Sequence, residues 1–423
     1  MTPEKRSRAK SSRIAERIHA SAVYLHRWTG LGMTVFLVVV GLTGALLAFR
    51  TDLERLINPQ LFATAKPGQA PLNLATLAER AEALAPHAKV GYFSVEQDQA
   101  LMAMVPKNDP ATRKPYLLDF DHIFLNPYTG EELGRRKDGE LRQGRINVLP
   151  FIYDLHSTLV MGSTGGLILG IVALVWTVDS FVGLYLTLPR GPGGFWRRWK
   201  YAWQVKWKAS AFRVNFDLHR AGALWFWILA LVFAWSSVML ALHAVYVPVT
   251  KALFDYRSDE EIIQAVTLKE PLDTPKLDWR AAQAAGERLM AQQAAQHGFT
   301  VTRPYGMAYI PAFGVYTYGV RSSLDIRAHG WDTSVWVDAN TGALRDLGLP
   351  RGQHTGNTVS VWLWGLHYGD IHGWIVYRVL VCAFGFVLIA LAITGANIWW
   401  KKRRTLRQAR TRSRLHHRPI SQV

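Results

Sequence analysis

Long apolar runs alternate with longer polar segments along the chain. A helix needs about 20 predominantly apolar residues to cross a bilayer. Four runs meet that length: Gly30–Phe49, Gly165–Leu188, Ala221–Val247 and Gly373–Trp400. Polar segments of about 50–160 and 248–365 separate the first run from the second and the third from the fourth. The pattern predicts four transmembrane helices and two domains outside the bilayer, and it excludes a wholly soluble protein.

The two polar segments contain both helical and strand-like patterns. Leu74–Leu84 and Trp279–Gln296 are rich in residues with high helix propensity. Alternating runs such as 316–320 and 334–338 are typical of half-buried strands. Each polar segment therefore predicts one helix with an antiparallel sheet, which is the simplest α+β module.

The two halves of the chain repeat one another. His26 opens the first span in the sequence L-H-R-W-T-G, and His219 opens the third in L-H-R-A-G, 193 residues later. A Leu-His pair precedes the second span at His156 and the fourth at His367. The turn sequences N-P-Y-T-G and D-A-N-T-G close the two polar segments at Gly130 and Gly342. Each half therefore consists of a span, an outer domain and a second span.

Basic residues concentrate in three segments next to the spans. Residues 1–27, 189–220 and 400–423 together carry 24 basic and three acidic residues, and the rest carries 25 basic and 28 acidic. The positive-inside rule places these three segments, and so both termini, in the cytoplasm. The net charge of +18 is therefore a topology signal, and no nucleic-acid partner is expected.

The sequence predicts neither signal-peptide cleavage nor covalent haem attachment. The first apolar run is longer than a signal-peptide core and no small-residue cleavage motif follows it, which predicts an uncleaved anchor. Cys382 is the one cysteine of the chain, so there is no C-x-x-C-H motif for covalent haem attachment.

Several histidines lie at the ends of the predicted spans. His26 and His219 lie at the cytoplasmic ends of the first and third spans. His156 and His367 lie at the outer ends of the second and fourth spans. Neutral imidazole is an axial ligand of haem iron, and facing helices can supply two such ligands at one depth. A single histidine at a membrane interface more often anchors or caps a helix. Two sets repeated at matched depths favour two b-type haems instead.

The outer ligands are less well defined than the inner pair. His156, His367, His372 and His243 compete for the two outer positions, and the repeat favours His156 with His367. Two charged residues also lie within spans, where they are costly unless they face the bundle interior. Arg378 could hold a haem propionate and Asp179 could serve proton release or a quinol site, or each could simply be paired.

At these motifs the chain resembles the PepSY-associated transmembrane proteins, the iron-regulated membrane protein group, over about residues 20–402. The resemblance rests on the L-H-R-W-x-G opening and its echo, the two Leu-His pairs, and the two T-G turns. Members include ferric-siderophore reductases of the bacterial inner membrane that carry two b-type haems between four helices. The resemblance implies the same fold, two non-covalent haems, and a ferric siderophore or other ferric chelate in the periplasm.

The expected function is electron transfer across the membrane to that chelate. No nucleotide fingerprint follows the last span, so the donor is external, either a quinol or a cytoplasmic reductase. An aromatic and cationic surface for the chelate is expected from Tyr305, Tyr309, Tyr316, Tyr318, Arg321, Arg327, Trp331 and Trp336, although these also suit a sheet core.

Two other classes of function remain open. One is a non-enzymatic receptor or regulator of an envelope partner, since fold does not fix function. The other is a transporter, which uninterrupted spans would disfavour because transporter sites use broken helices.

The expected architecture is a membrane protein of four transmembrane helices, in two span–domain–span repeats, with two periplasmic α+β PepSY-like modules. The predicted boundaries are a basic N-terminus at 1–27, transmembrane helices at 28–49, 161–189, 219–247 and 366–400, outer modules at 50–160 and 248–365, a cytoplasmic loop at 190–218 and a basic tail at 401–423.

Overall fold

The computed structural model describes residues 3–64, 68–191 and 193–416. The predicted N-terminus, loop and tail therefore extend outside the described residues at 1–2, 192 and 417–423. The α-helices are α1 Pro3–Leu47, α2 Arg50–Ile57, α3 Leu74–Leu84, α4 Val148–Thr158, α5 Gly162–Thr187, α6 Phe195–Trp199, α7 Ala211–Trp225, α8 Trp227–Ala241, α9 His243–Leu253, α10 Asp259–Val266, α11 Trp279–His297, α12 Thr355–Tyr368 and α13 Ile375–His416.

The strands and short 3₁₀ helices complete the described elements. The strands are β1 Ala88–Val95, β2 Ala100–Pro106, β3 His122–Leu125, β4 Glu132–Arg136, β5 Val301–Ile310, β6 Val315–Ser322, β7 Thr333–Asp338 and β8 Leu344–Gly348. The 3₁₀ helices are Pro59–Leu61, Leu141–Asn147 and Lys200–Trp203. Each half contains four strands followed by a short helix (α4 or α12) and a long helix (α5 or α13), which agrees with the duplication that the sequence predicts.

The chain forms two compact units. The helical unit comprises Met1–Leu46, His156–His243 and Val379–Val423. The sheet unit comprises Leu47–Leu155 and Ala244–Arg378. The helical unit thus contains the long apolar helices, and the sheet unit contains the two polar segments.

Three described helices of the chain are long and apolar enough to span a membrane. They are Arg13–Leu47 within α1, Gly162–Thr187, and Ile375–Ala409 within α13. A fourth span exists if α7 and α8 are counted together, because that pair passes the same test but is bent by 68°. The prediction of an unbroken helix at 219–247 is therefore wrong.

The bend lies at Phe226, a residue that leaves the helical conformation (φ −107°, ψ 13°). Its N–H still donates to the Gly222 carbonyl at 3.2 Å, and the next residue, Trp227, donates its ring N–H to the Ser180 carbonyl at 2.9 Å. The partly buried Trp227 indole N–H thus has an acceptor on α5. Neither proline nor a glycine pair marks the position, so the sequence pattern does not reveal it.

The fourth predicted span also begins later than expected, whereas α5 begins at Gly162, one residue after the predicted start of the second span. His156 lies in the last turn of α4 and His367 in the last turn of α12, each a short helix that ends before the long helix begins. Gly369 ends α12 in the left-handed conformation (φ 66°), where glycine carries no Cβ penalty. The predicted boundary at 366 for the fourth span is therefore wrong, and α13 begins at Ile375.

Small residues allow the long helices of the helical unit to approach closely. A Cβ on Gly41 of α1 would lie 2.9 Å from the Gly385 carbonyl oxygen of α13. Apolar side chains, including Met33, Leu37 and Leu388, pack around this crossing. Close backbone approach at glycine is the usual way in which apolar helices associate.

The two α+β modules that the sequence predicts join into one sheet. Eight strands pair in the order β4-β3-β2-β1-β5-β6-β7-β8, and every pair is antiparallel. The central pairing of β1 with β5 places Phe93 opposite Met307 and Ser94 opposite Gly306. The predicted helices Leu74–Leu84 and Trp279–Gln296 are confirmed as α3 and α11, one in each half.

One hydrophobic core lies beneath both halves of the sheet. Trp279 of α11 contacts Phe93 of β1 and Tyr316 of β6, with ring centroids 5.7 and 5.1 Å apart. The core therefore crosses the β1–β5 boundary.

The repeated turns close both halves in the same way. Asn126 Oδ1 accepts the N–H of Tyr128, and Asp338 Oδ1 accepts the N–H groups of Asn340 and Thr341. The fifth residue of each turn is a glycine with φ near 72°, which confirms the turn prediction.

We expect Gly306→Ala to destabilise the sheet unit. A Cβ at this position would overlap the Phe93 carbonyl and the Trp331 ring, so β5 would have to move away from β1. Overpacking of this kind costs about 1–3 kcal/mol. Thermal unfolding of the purified protein in detergent measures the loss.

Gly32→Ala is the control for that measurement. No atom lies within 4 Å of a Cβ built on Gly32, which is a helical residue. Alanine there should be neutral or stabilising by up to about 1 kcal/mol. Equal melting temperatures for Gly306→Ala and the wild type would contradict the proposed β1–β5 contact.

Candidate functional site

Two histidine rings from the two halves of the chain meet in the helical unit. His26 of α1 and His219 of α7 have ring centroids 6.1 Å apart, with 51° between the ring planes. The sequence predicted this pair from the repeat, and the structure brings the two side chains together.

Each ring is hydrogen-bonded through Nδ1 to the helix behind it. His26 Nδ1 lies 2.9 Å from Asp179 Oδ2 of α5. His219 Nδ1 lies 3.0 Å from the Leu391 carbonyl oxygen and 3.2 Å from the Thr394 hydroxyl, both on α13. Within the described residues neither ring makes a hydrogen bond through Nε2. Nδ1 bonding fixes the orientation of an imidazole and leaves Nε2 available to a metal.

A glycine lies beside each of these rings. A Cβ on Gly183 would come within 3.5 Å of His26 Cε1, and a Cβ on Gly395 within 3.0 Å of His219 Cε1. The sequence contains a signal for this pair of glycines, because 183 and 395 are related by the same offset of 212 that relates the two turns.

A cavity of about 470 Å³ lies against both rings. Its wall is mainly apolar and includes residues such as Leu37, Trp176 and Leu388. This volume lies within the range of about 300–1,000 Å³ found for small-molecule and cofactor sites.

Basic side chains also line this cavity. They are Arg27 of α1, Arg220 of α7 and Lys402 of α13. Arg220 donates to Asp217, a fully buried carboxylate that also accepts from Arg213. These cations offer partners for the carboxylates of a bound ligand.

Asp179 has a defined place in this site. Its Oδ2 accepts from His26 and its Oδ1 accepts the Thr29 hydroxyl at 2.8 Å. The sequence predicted His26 at the cytoplasmic end of the first span and Asp179 inside the second. The contact shows that the two side chains lie at the same level of the bundle.

His156 has surroundings like those of the inner pair. Its Nδ1 lies 2.9 Å from the Thr43 hydroxyl of α1, and a Cβ on Gly44 would come within 3.1 Å of its Cε1. The turn after α4 holds Leu159 and Val160 at φ near 55° and 58°. A β-branched residue in this region is strained by about 1–3 kcal/mol, and such strain often marks a functional site.

The other three candidates for the outer ligands do not lie within a long apolar helix. His243 is exposed at the start of α9, where α8 has ended. His372 lies in the loop between α12 and α13, where its backbone N–H donates to the Ile326 carbonyl at 3.1 Å. His367 contacts the Tyr368 ring in the sheet unit. The placement of His372 within the fourth helix was therefore wrong.

Arg378 contacts residues at the junction of α1 and α2. Its Nε donates to the Ala48 carbonyl at 3.1 Å, its guanidinium pairs with Asp52, and it lies over the Phe49 ring. The sequence left open whether Arg378 is paired or holds a propionate, and the structure shows the pairing.

Most of the aromatic surface expected for a chelate is sheet core. The buried members of that set are Tyr305, Tyr309, Tyr316, Tyr318 and Arg321, while Arg327, Trp331 and Trp336 are partly buried. Burial raises the pKa of the Tyr305 hydroxyl, and the neighbouring Glu96 raises it further. The prediction that these residues form a binding surface for the chelate is therefore wrong for the five buried ones.

Exposed aromatic residues gather elsewhere in the sheet unit. The Tyr153 and Tyr368 hydroxyls lie 3.3 Å apart, and the Arg50 guanidinium lies over the Tyr153 ring. Trp364 contacts Tyr368 with the ring centroids 6.0 Å apart and the planes tilted by 38°, and it is about two-fifths exposed. Sequence analysis missed this group because its members come from three separate helices or junctions.

An ion pair fixes the loop that precedes α13. His329 Nδ1 lies 2.7 Å from Asp370 Oδ1, and this hydrogen bond raises the pKa of the His329 imidazole. The pair ties the loop after α12 to the segment between β6 and β7.

The comparisons with known proteins agree with this architecture. The family model described as the PepSY-associated TM region matches residues 23–402. No curated protein shows significant similarity to the chain. The match covers most of the chain, including all the long apolar helices and both halves of the sheet. The protein is a membrane protein, and it belongs to the PepSY-associated transmembrane family.

Proposed function

We propose that this protein is a di-haem b reductase of the bacterial inner membrane. It takes electrons from a quinol or a reductase on the cytoplasmic side. It passes them to a ferric siderophore or related ferric chelate in the periplasm. The observation that carries the proposal is the pairing of His26 with His219 across one cavity.

The spacing of the two rings suits one iron between them. A metal–imidazole bond is about 2.0–2.1 Å long and a ring nitrogen lies about 1.1 Å from its centroid, so two rings that ligate one iron from opposite sides have centroids about 6.3 Å apart. The observed separation is 6.1 Å. No group of three or more metal-binding side chains occurs among the described residues, so a two-ligand haem is the better candidate than a bare ion.

The residues around the cavity have separate tasks in this proposal. Asp179 and the Leu391 carbonyl hold the two rings by their Nδ1 atoms. The apolar wall would exclude water from a bound haem, and Arg27 and Lys402 would be available to neutralise its carboxylates. A bis-imidazole haem supplies a one-electron carrier whose ligands stay in place in both oxidation states.

The second haem is proposed at His156 and His367. The support is the repeat, together with the glycine and the Nδ1 partner that His156 shares with the inner pair. His372 and His243 remain the alternatives.

Reduction of the iron would release it from the chelate. Each Fe(III) in the chelate takes one electron and becomes Fe(II). Oxygen-rich chelators bind the harder Fe(III) ion far more tightly than Fe(II), so reduction releases the metal. The positive-inside distribution of charge supports an orientation with His26 and His219 on the donor side.

One observation favours transport as a second candidate. The bend at Phe226 breaks a span, and transporters place their sites at broken helices. A transporter or a regulatory receptor has no need of haem, so the absorption spectrum separates both from the reductase.

We expect the purified wild-type chain to contain about two haems, and His26→Ala and His219→Ala each to contain about one. His156→Ala and His367→Ala should each lose the other haem, because removing one axial ligand weakens that site. His243→Ala and His372→Ala are matched controls that should keep both. Pyridine haemochrome assays give the stoichiometry.

A haem-free wild type, made with ample haem supply, would contradict the proposed function. Loss of haem in His243→Ala or His372→Ala with retention in His367→Ala would reassign the outer ligand and leave the inner site unchanged.

We also expect the two ring-supporting glycines to respond differently to substitution. In Gly395→Ala the new methyl lies 3.0 Å from the His219 ring, which must shift, so haem should bind more weakly. In Gly183→Ala the methyl lies at an ordinary 3.5 Å from His26, and binding should be near wild type. Haem retention during transfer to apomyoglobin compares the two. Equal retention would contradict the packing argument.

The reaction itself is tested with the reduced protein in vesicles. Mixing with a ferric hydroxamate or catecholate chelate should reoxidise the protein and form one Fe(II) per electron, trapped as a coloured ferrous complex. His26→Ala should reoxidise without accepting electrons from the donor side. A wild-type protein that stays reduced with both types of chelate would exclude chelate reduction.

A further inference from the structure

The loop that joins α5 to α7 is both aromatic and basic. Residues 195–208 contain six aromatic residues, five basic residues and no acidic residue. The aromatic residues are Phe195, Trp196, Trp199, Tyr201, Trp203 and Trp207. None of these side chains has a task in the proposed electron transfer, so the composition of the loop calls for a separate explanation.

Hydrogen bonds hold this loop against α5 and α7. Trp199 donates its ring N–H to the hydroxyl of Thr187, the last residue of α5, at 3.2 Å. The Arg220 guanidinium of α7 donates to the Tyr201 carbonyl at 2.9 Å and to the Ala202 carbonyl at 3.2 Å. The loop therefore has a defined structure beside these two helices, and its outer side chains form a fixed surface.

Four rings of the loop form a row. The ring centroids of Phe195 and Trp196 are 5.2 Å apart, those of Trp196 and Trp199 5.6 Å, and those of Trp199 and Trp203 5.4 Å. Trp199 is partly buried, whereas Trp196 is 74% exposed and Trp207 is 68% exposed. Clustered exposed aromatic groups indicate a surface that contacts another molecule or a membrane.

The exposed cations of the loop lack an acidic partner. They are Arg197, Lys200, Lys206 and Lys208. The acidic residue of segment 189–220 is Asp217, and it pairs with Arg213 and Arg220 instead. In the part of the chain that the structure describes, none of the four exposed cations forms an ion pair. The surface therefore favours a negatively charged partner.

The position of the loop favours lipid as that partner. The helix α5 is apolar and long enough to span a membrane, and Thr187 ends it. Because Trp199 bonds Thr187, the row of rings begins where the apolar span ends. Indole rings favour this boundary, since the apolar ring contacts acyl chains and the N–H reaches the polar layer. Basic side chains at the same level can contact lipid phosphates.

We propose that residues 195–208 bind the headgroups of anionic phospholipids. The exposed rings of Trp196 and Trp207 enter the headgroup layer, and the four exposed cations hold the phosphates. The surface thereby distinguishes an anionic headgroup from a zwitterionic one. An acidic protein would match the cations but not the exposed indoles beside the end of a span. Lipid binding at this surface requires no haem, so it is independent of the proposed function.

The test is native mass spectrometry of the full chain in detergent with added lipid. Dioleoyl phosphatidylglycerol and dioleoyl phosphatidylcholine have the same acyl chains and differ in headgroup charge. The wild type should bind the first phosphatidylglycerol more tightly than the first phosphatidylcholine. Each basic side chain near an anionic surface contributes about fivefold, so Arg197→Gln combined with Lys200→Gln should weaken phosphatidylglycerol binding by about 25-fold. Binding of phosphatidylcholine should change little.

Matched variants separate this surface from the net charge of the chain. Lys401→Gln combined with Arg404→Gln removes the same charge from α13 and should leave binding near that of the wild type. Trp196→Ala combined with Trp207→Ala should weaken both lipids by a similar factor, because contacts of the rings do not depend on headgroup charge. If the double charge variant of the loop does not fold, Lys208→Gln alone should weaken phosphatidylglycerol binding by about fivefold.

Three results would overturn the inference. Equal affinity of the wild type for the two lipids would leave the cations to an acidic protein. Equal losses in the loop variant and the α13 control would trace the preference to net charge. Glycerol phosphate that binds as tightly as phosphatidylglycerol would make a free anion the occupant. A haem-free chain that shows the predicted lipid preference would instead overturn the proposed function and leave this inference intact.

Discussion

The helical unit depends on how its half-buried imidazoles are held. An imidazole in an apolar bundle costs free energy unless its polar nitrogen atoms are bonded. Here each ring bonds a neighbouring helix through Nδ1 and lies against a glycine that leaves it room. His26 thereby joins α1 to α5, His156 joins α4 to α1, and His219 joins α7 to α13. The contacts that join the helices also orient the imidazole rings. Formation of the helix bundle therefore also forms the site.

Duplication explains most of the architecture, and its exceptions carry the specific chemistry. The two four-stranded halves join through β1 and β5 into one sheet with one core. The helices correspond except that α1 is continuous where α7 and α8 are bent by 68°. The paired histidine positions correspond, except that the Nδ1 acceptor is the Asp179 side chain in one half and the Leu391 carbonyl in the other. A duplicated scaffold thus keeps its geometry while single residues make its two halves chemically different.

The sequence predicted features with a local or repeated signal. Helix propensity placed α3, turn residues placed Gly130 and Gly342, and the internal offset paired His26 with His219. The sequence did not predict features that depend on contacts between distant parts of the chain. Edge pairing of β1 with β5 has no local pattern, and the bend at Phe226 has no proline. The contact between His26 and Asp179 was missed because the two residues lie 153 positions apart on different helices, and no local pattern pairs them.

The central claim is that two histidines from opposite halves hold one haem iron. Low-temperature electron paramagnetic resonance of the oxidised, purified chain tests it most directly, read together with the absorption spectrum. The account predicts six-coordinate, low-spin ferric haem with two imidazole ligands, and loss of part of that signal in His219→Ala. A haem-free chain, or a high-spin five-coordinate signal that His219→Ala leaves unchanged, would contradict it.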